Sequence, residues 1–392
     1  MAVTSASTRS FTRTQLTWLV YFMLAYYSFM INGLGPVMPF LRTELRLSFT
    51  LSSLHYSAFA LGMVLAGLFG DRVVRRLGRR RGLWGGGFGL VAGTVLLTAG
   101  SHPLVTVAGT LMMGTLGSLT FFLVNATLAD YYADQRIIAL TEANVIGGLA
   151  AAGAPLVIGQ MQRAELGWRF GLLVVGALFG LAYFWLRRVP ILEPRPASQA
   201  ETTAGAGLKL GFWLNWLLLY LVVSIEFCVL YWGADYLMAG FGLPKTEAVT
   251  SLSLFLGAML VGRFGGSRLA YRVRESWLLL AGLILVLVGF PLYAFSPYAG
   301  LSLAALALTG LGVANLYPVS LSLSIQAAAG KEDLASARAA MGSGLAILTM
   351  PLLLGWLADQ TSLATAYIGL IAVLIGAAWL VYFVNRVVVI SS

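Results

Sequence analysis

One acidic residue lies in the middle of a long apolar stretch. Glu226 stands between Ile225 and Phe227, and the surrounding stretch is long enough to form a membrane-spanning helix. An ionised carboxylate at the bilayer centre is costly, so such a group normally faces a protein interior or a water-filled cavity. There it can take up and release a proton, which makes Glu226 the candidate proton-coupling residue. The alternative is a structural role, with Glu226 hydrogen-bonded between helices.

Other polar and aromatic side chains in apolar stretches are candidates to contact a solute. Asn215 precedes Glu226 by three helical turns, so both lie on one helix face. Asp235 points about 180° away from Glu226 and is expected to be solvated near the helix end. Aromatic rings can stack on a sugar or belong to the belt at the membrane surface, and amides can bind a solute or a neighbouring helix. The predicted substrate-cavity residues are Asn125, Asn144, Asn215, Tyr231, Trp232 and Asn315.

Composition identifies a membrane protein. The chain has 392 residues, of which 59% are hydrophobic and only 10% are charged. Its net charge of +10 resides mainly between apolar stretches, as membrane topology requires, so no nucleic-acid partner is expected. A single cysteine, Cys228, excludes a disulfide framework. We find no metal-ligand spacing, phosphate-binding loop or nucleophile motif, and therefore expect no cofactor, no metal and no enzymatic activity.

Twelve apolar stretches predict an all-α protein with twelve transmembrane helices. Twenty of the 25 lysines and arginines fall on the side of the membrane that holds the N-terminus, which predicts cytoplasmic termini. The predicted spans are 15–41, 51–70, 82–101, 104–130, 137–161, 169–187, 211–238, 247–266, 276–296, 298–326, 334–358 and 363–385. The predicted domains are an N-terminal tail (1–14), an N-terminal six-helix bundle (15–187), a cytoplasmic linker (188–210), a C-terminal six-helix bundle (211–385) and a C-terminal tail (386–392).

An internal repeat supports the division into two pseudo-symmetric bundles. The segment 148–159 in the fifth span aligns without gaps to 344–355 in the eleventh, at an offset of 196 residues, which is half the chain length. The shared glycines and proline predict close helix packing. They are Gly148, Pro155 and Gly159, repeated as Gly344, Pro351 and Gly355.

The most basic stretch of the chain, 67–81, follows the second span. It contains Gly67, Asp71, Arg72, Gly78 and Arg79 in the order Gly-x-x-x-Asp-Arg and then Gly-Arg-Arg. This order resembles the signature of the major facilitator superfamily of secondary transporters, although the two parts are farther apart here than is usual. The motifs in spans 7 and 10 are most similar to the fucose-permease-like branch. The alternative interpretation of the stretch is a solvated basic loop that only sets orientation.

The resemblance implies two charge contacts that close the cytoplasmic side. It places the fifth span beside the eighth and the eleventh beside the second. Glu142 would then meet Arg263 or Arg268, while Asp71 would meet Arg338 or the N-terminal dipole of the eleventh span. Together with Gly67, Arg72, Gly78 and Arg79, these residues form the predicted cytoplasmic gate. The competing interpretation is that these charged residues lie at helix ends and are simply solvated by water.

These features lead to a functional hypothesis. The chain is expected to be a monomeric, multi-pass protein of an inner or plasma membrane that moves a small organic solute by alternating access. Without a nucleotide site the energy source must be an ion gradient, and Glu226 favours protons over sodium. The alternatives are a drug/proton antiporter that exports lipophilic compounds and a membrane sensor that does not transport.

Overall fold

The structure is a computed structural model that describes residues 11–191, 208–270, 272–328 and 331–391. Within these ranges the chain forms thirteen α-helices, as expected where backbone groups must be satisfied inside a bilayer. Most of the predicted linker and parts of both predicted tails lie outside the described residues. The helices are α1 (Gln15–Leu45), α2 (Phe49–Leu77), α3 (Arg79–Ala99), α4 (Pro103–Tyr132), α5 (Arg136–Arg163), α6 (Trp168–Leu186), α7 (Leu210–Phe241), α8 (Lys245–Leu269), α9 (Glu275–Phe295), α10 (Ala299–Val313), α11 (Leu316–Gln326), α12 (Glu332–Gln360) and α13 (Leu363–Ser391).

Twelve helical stretches account for the predicted spans. Among the described residues, eleven stretches are long and apolar enough to cross a membrane, and α10 with α11 counts as one of them. The remaining long helix is α1, with 31 residues. It packs against helices of both halves and buries tyrosines such as Tyr21, Tyr26 and Tyr27. A helix enclosed by protein need not be uniformly apolar, which reconciles its composition with its place in the bundle.

The tenth span is two helices rather than the single helix that the sequence predicts. The helical hydrogen-bond ladder is interrupted at Ala314 and Asn315, between α10 and α11. Pro318 explains the interruption, because it has no N–H to donate to the carbonyl oxygen of Ala314, four residues earlier. The Ala314 carbonyl oxygen can therefore accept a hydrogen bond from another donor inside the bundle.

The repeat seen in the sequence extends through most of each half. A Cβ added at Gly114 would overlap the carbonyl oxygen of Phe59, and one at Gly310 would overlap that of Phe255. Both members of the second pair follow those of the first by 196 residues. The same offset therefore relates the packing of α2 and α4 to that of α8 and α10. The bundles α1–α6 and α7–α13 are two copies of one helical arrangement.

The two halves meet along two matching pairs of helices. As the family resemblance implies, α5 packs against α8 and α2 packs against α12. The closest approach in each pair is at a glycine of the repeat, where a Cβ at Gly159 would overlap the Thr250 hydroxyl and one at Gly355 would overlap the Ser53 hydroxyl. Both points lie toward the end of the bundle where α1 ends and α2 begins, which we name the distal face. The opposite end, where α1 begins and α2 ends, is the terminal face.

The contact at Gly355 generates a stability prediction. We expect Gly355→Ala to lower the melting temperature, because the new Cβ would also lie 2.8 Å from the rigid backbone oxygen of Phe49. Overpacking of this kind costs about 1–3 kcal/mol. Thermal unfolding of the purified protein in detergent measures the change.

The matched control is Gly369→Ala in α13, where an added Cβ meets open space. This control gains helix propensity without a clash and should unfold at the parental temperature or above it. Equal melting temperatures for the two variants would contradict a close approach of α12 to α2.

Candidate functional site

A partly buried charge pair lies inside the C-terminal half. Glu226, near the middle of α7, approaches Arg263 of α8, with 3.7 Å between Oε1 and Nη2. The Glu226 side chain is 13% exposed and that of Arg263 is 48% exposed, although neither residue is at a helix end. The arginine also reaches the break in the tenth span, where its Nε donates to the Ala314 oxygen at 3.3 Å. One guanidinium thus links the carboxylate of α7 to the carbonyl oxygen that Pro318 leaves without a helical donor.

Asn315 holds the helix break against α8. Its side-chain amide donates to the Gly262 carbonyl oxygen at 2.8 Å, and a Cβ at Gly266 would collide with the amide group. Tyr317 of α11 lies within electrostatic range of both Glu226 and Arg263. Polar groups from α7, α8 and the break therefore converge on one place. The sequence predicted Glu226 and Asn315 as site residues, but not that Arg263 would join them.

The predicted aromatic residues lie between the halves rather than beside an open cavity. Tyr231 is fully buried and its hydroxyl donates to the Ser52 carbonyl oxygen of α2. Trp232 is also fully buried, and its indole N–H donates to the Pro351 oxygen at 3.1 Å. Its ring packs against Phe49 of the other half, 5.5 Å between centroids. In this structure both aromatic residues close the distal side of the site.

An ion pair at the distal face also joins the halves. Arg42 of α1 contacts Asp235 of α7 at 2.5 Å, and the Asp235 side chain is 0% exposed. The expectation that Asp235 is solvated was wrong, because a cation from the other half covers it. Nearby, Lys245 donates to the Thr43 hydroxyl at 2.7 Å.

Asp359 makes a second distal contact between the halves. Its two carboxylate oxygens accept the backbone N–H groups of Phe49 and Thr50, each at 2.9 Å, and the Thr50 hydroxyl at 2.6 Å. A carboxylate at a helix N-terminus satisfies free N–H groups and complements the helix dipole. The last turn of α12 thus caps α2. Sequence reasoning missed Asp359 and Arg42, because a lone charge at a span end normally signals solvation.

The predicted gate residues at the terminal face make contacts within their own halves. Glu142 binds Arg13, with a shortest distance of 2.6 Å, and accepts from the Tyr21 hydroxyl at 3.2 Å. Arg79 pairs with Asp130 at 2.6 Å. The contacts expected of Glu142 with Arg263 or Arg268 are not formed here and stay predictions for a conformation closed at this face.

The other gate residues show no contact between the halves in the described structure. Arg72 and Arg268 lie over Phe69 and Phe264 of their own helices, at 5.7 and 4.4 Å from the ring centroids. The carbonyl oxygen of Arg338 accepts from Trp216 at 2.7 Å. The side chain of Asp71 lies outside the described residues. Gly67 faces open space, and Gly78 forms the turn between α2 and α3 with a φ of 81°.

Three predicted amides make hydrogen bonds to protein. Asn125 and Asn144 donate to carbonyl oxygens one turn earlier in their own helices, at 2.8 and 2.7 Å. Asn144 remains exposed, whereas Asn215 is buried and accepts from Asn385 of α13 at 2.9 Å. Asn215 therefore joins α7 to α13 and does not share the polar cluster of Glu226.

The contacts between the two halves are unevenly distributed along the bundle. Within the described residues, α4 has no extensive packing against α10 or α11, its counterparts in the other half. The polar contacts described between the halves lie on the distal side. Two related six-helix bundles around an interior charge pair, closed at one end, define a membrane transporter fold.

The chain belongs to the Major Facilitator Superfamily, whose sequence profile matches residues 17–275 and 234–391. Its fold is similar to a bacterial homolog of the human lysosomal transporter Spinster, in an inward-facing and unoccupied conformation, with a TM-score of 0.77. The two share 14% sequence identity over 96% of this chain and 98% of that chain. No curated protein sequence matches the chain.

The nucleoside transporter NupG has the same fold, with a TM-score of 0.70 and 14% identity over 95% of this chain and 98% of that chain. Similarity at this level of identity concerns the fold. The narrower resemblance to the fucose-permease-like branch stays a prediction.

Two ion pairs at the distal face, Arg42 with Asp235 and Arg169 with Glu44, generate a comparative prediction. We expect Asp235→Asn to lower stability, because it leaves Arg42 without a charge partner in a mostly buried site, and breaking a buried pair costs roughly 3 kcal/mol. Thermal or denaturant unfolding in detergent measures the loss.

The control is Glu44→Gln, which breaks the pair of Glu44 with Arg169, where both side chains are about 40% exposed. Its cost should stay below about 1 kcal/mol, since exposed pairs contribute little. Equal losses in the two variants would show that burial of Asp235 is energetically unimportant.

Proposed function

We propose that the protein is a proton-coupled secondary transporter that moves a small organic solute by alternating access. The observation that carries this proposal is the pair of Glu226 and Arg263 inside the C-terminal half, in which both side chains are partly exposed. An intramembrane ion pair is costly to maintain, and proton relays in transporters are built from such groups. Fold similarity to solved transporters supports the same class of function.

In this proposal, proton binding is coupled to solute binding because Glu226 and the solute compete for Arg263. While Glu226 is ionised, its carboxylate attracts the guanidinium, which also holds the free oxygen of Ala314. Protonation of Glu226 removes that attraction and leaves guanidinium N–H groups for hydrogen-bond acceptors on a solute. Proton binding and solute binding are then linked through one side chain. Sodium is the less favoured coupling ion, since a single carboxylate beside an arginine is a poor cation site.

Alternating access uses the matched packing of the two halves. The distal contacts of Asp235, Asp359 and Tyr231 would break when that face opens. At the terminal face, Glu142 would leave Arg13 and meet Arg263 or Arg268, while Asp71 approaches Arg338. Arg263 would then exchange Glu226 for Glu142, which would connect the coupling site to the gate.

The terminal face is proposed to be cytoplasmic, with the protein in an inner or plasma membrane. Its basic loops would be retained on that side during insertion. A monomer would suffice for transport, because one chain contains both bundles, the charge pair and the distal contacts. In this orientation the distal contacts between the halves would lie on the opposite side of the membrane from the cytoplasm.

A drug/proton antiporter is the second candidate. An apolar cavity of about 370 Å³ between α5 and α8 favours a lipophilic substrate. Its lining residues are Val145, Leu260, Val261, Phe264 and Gly265. Proteoliposomes distinguish the two candidates, since solute and protons move in the same direction in symport and in opposite directions in antiport. A sensor would move neither.

Neutralising the central carboxylate tests proton coupling. We expect Glu226→Gln to fold and to lose proton-driven accumulation of a solute identified by thermal-shift screening, while exchange of that solute persists. The glutamine keeps the size of the side chain but cannot exchange a proton. Accumulation and proton flux in proteoliposomes are measured together.

The matched control is Glu247→Gln, an exposed acid in the first turn of α8. It should accumulate solute as the parent does. Undiminished accumulation in Glu226→Gln would refute Glu226 as the coupling residue.

The hydrogen bonds of Asp359 to the start of α2 provide a test of alternating access. Asp359→Ala removes three hydrogen bonds between α12 and α2 and should shift the population toward distal-open molecules. A coupling of about 1–3 kcal/mol corresponds to a roughly 5- to 150-fold change. The reporter is Ser57→Cys in a Cys228→Ser background, labelled from the distal side with an impermeant thiol reagent.

The control is Glu165→Ala, an exposed acid at the same face. Its labelling rate should match that of the parent. If Asp359→Ala also labels at the parental rate, the capping contact does not hold the distal face shut.

A further inference from the structure

A basic pocket lies at the terminal face, outside the transport site. It has a volume of about 470 Å³ and is formed where α3 begins and α6 ends. Within the described ranges, four of its six lining residues are arginines and none is acidic. The lining residues are Arg80, Arg81, Trp84, Tyr183, Arg187 and Arg188. Four like charges in one concavity repel one another and favour an anion.

Two helices bring these arginines together. Arg80 and Arg81 lie in the first turn of α3, while Arg187 and Arg188 directly follow α6, which packs against α3. Arg80 donates to the carbonyl oxygen of Arg187, which ties the two segments without neutralising either charge. The N-cap of α3 is a glycine, Gly78, which has no side-chain acceptor for the first N–H groups of the helix. The helix dipole therefore adds to the attraction for an anion.

Trp84 supplies an independent observation at the same pocket. The residue is only 6% exposed, and its indole Nε1 is buried without a hydrogen-bond partner among the residues that the structure describes. A buried N–H group without an acceptor is unfavourable, and such groups are rare in native proteins. Since Trp84 lines the basic pocket, an anionic oxygen bound there would accept this hydrogen bond after a small movement of the atoms that cover Nε1.

The position of the pocket identifies the class of anion. It lies at the end of a membrane span, and the adjoining surface of α6 exposes Phe184 and Trp185, the latter by 87%. Exposed aromatic residues at a span end contact the interfacial region of a bilayer. We propose that the pocket binds the phosphate headgroup of one anionic phospholipid, whose acyl chains lie along α6. Basic pockets at the ends of transmembrane helices provide this kind of lipid recognition.

Native mass spectrometry of the full chain in neutral detergent tests the proposal with phosphatidylglycerol as the probe. In detergent there is no charged bilayer surface, so retained lipid reports direct binding. We expect one tightly bound phosphatidylglycerol, and a loss of about 30-fold in affinity for the double variant Arg80→Gln/Arg187→Gln, at roughly fivefold per arginine. Trp84→Phe keeps an aromatic ring without the N–H and should weaken binding by about 2- to 10-fold.

The matched control is Arg75→Gln/Arg76→Gln, which removes the same charge from exposed positions of the same basic stretch, outside the pocket. It should change the affinity by less than about threefold, since the exposed arginines make no direct contact with the headgroup. Equal losses in the two double variants would indicate diffuse attraction and overturn the proposal.

Two further probes distinguish a lipid headgroup from a soluble anion as the ligand of the pocket. Phosphatidylcholine should bind at least about tenfold more weakly, because its zwitterionic headgroup lacks the net charge that the arginines attract. Soluble glycerol phosphate should not displace the lipid at equal concentration. If it does, the pocket is a site for a soluble anion and the lipid assignment is wrong.

Discussion

The interior of this protein depends on two oppositely charged side chains that neutralise each other, because an unpaired charge is unfavourable inside a bilayer. Glu226 and Arg263 neutralise each other at 3.7 Å, a distance that allows attraction without a direct hydrogen bond. A tight buried pair would resist separation, because removing either partner leaves an unpaired charge. The looser contact, together with partial exposure of both groups, would allow the pair to open and re-form in the proposed transport cycle. The helix break gives the guanidinium a second acceptor when the first is lost.

The scaffold is symmetric, whereas its chemistry is not. The offset of 196 residues relates glycine contacts throughout the two halves, so both copies have the same helix packing. At that offset Glu226 corresponds to Met30 and Arg263 corresponds to Gly67. The N-terminal copy thus has small or apolar residues where the C-terminal copy has the charge pair. The repeat supplies matched surfaces, as the proposed rocking of the two halves would require, and substitution within one copy supplies the polar site.

The charged residues at the two faces of the bundle differ in their partners. At the distal face, acids of the C-terminal half contact the N-terminal half: Asp235 binds Arg42, and Asp359 caps α2. At the terminal face Glu142 binds Arg13 within the N-terminal half. Distal charges therefore hold the halves together, while terminal charges are occupied locally. In the proposed cycle, a conformational change would exchange one set of partners for another, which would keep the energy difference between the two states small.

Sequence alone determined the features that the bilayer imposes locally. It predicted the spans, the division into two halves and the position of Glu226 inside a span, because apolar length and an intramembrane charge are visible without knowledge of the fold. The repeat also predicted the glycines at which α5 meets α8 and α12 meets α2. The interruption of the tenth span was missed, although Pro318 was its signal.

The partners of the charges were decided only by tertiary structure. Glu142, expected to meet Arg263 or Arg268 in a conformation closed at the terminal face, here binds Arg13, while Arg263 contacts Glu226. Asp235 was expected in water, although Arg42 covers it. Arg42 and Asp235 are separated by 193 residues, so no local pattern indicates their contact. The same charges can also have different partners in different conformations. Sequence therefore specified where charges occur along the helices, whereas the packing of the two bundles decided which of them meet, since ion pairing depends on distance in space rather than along the chain.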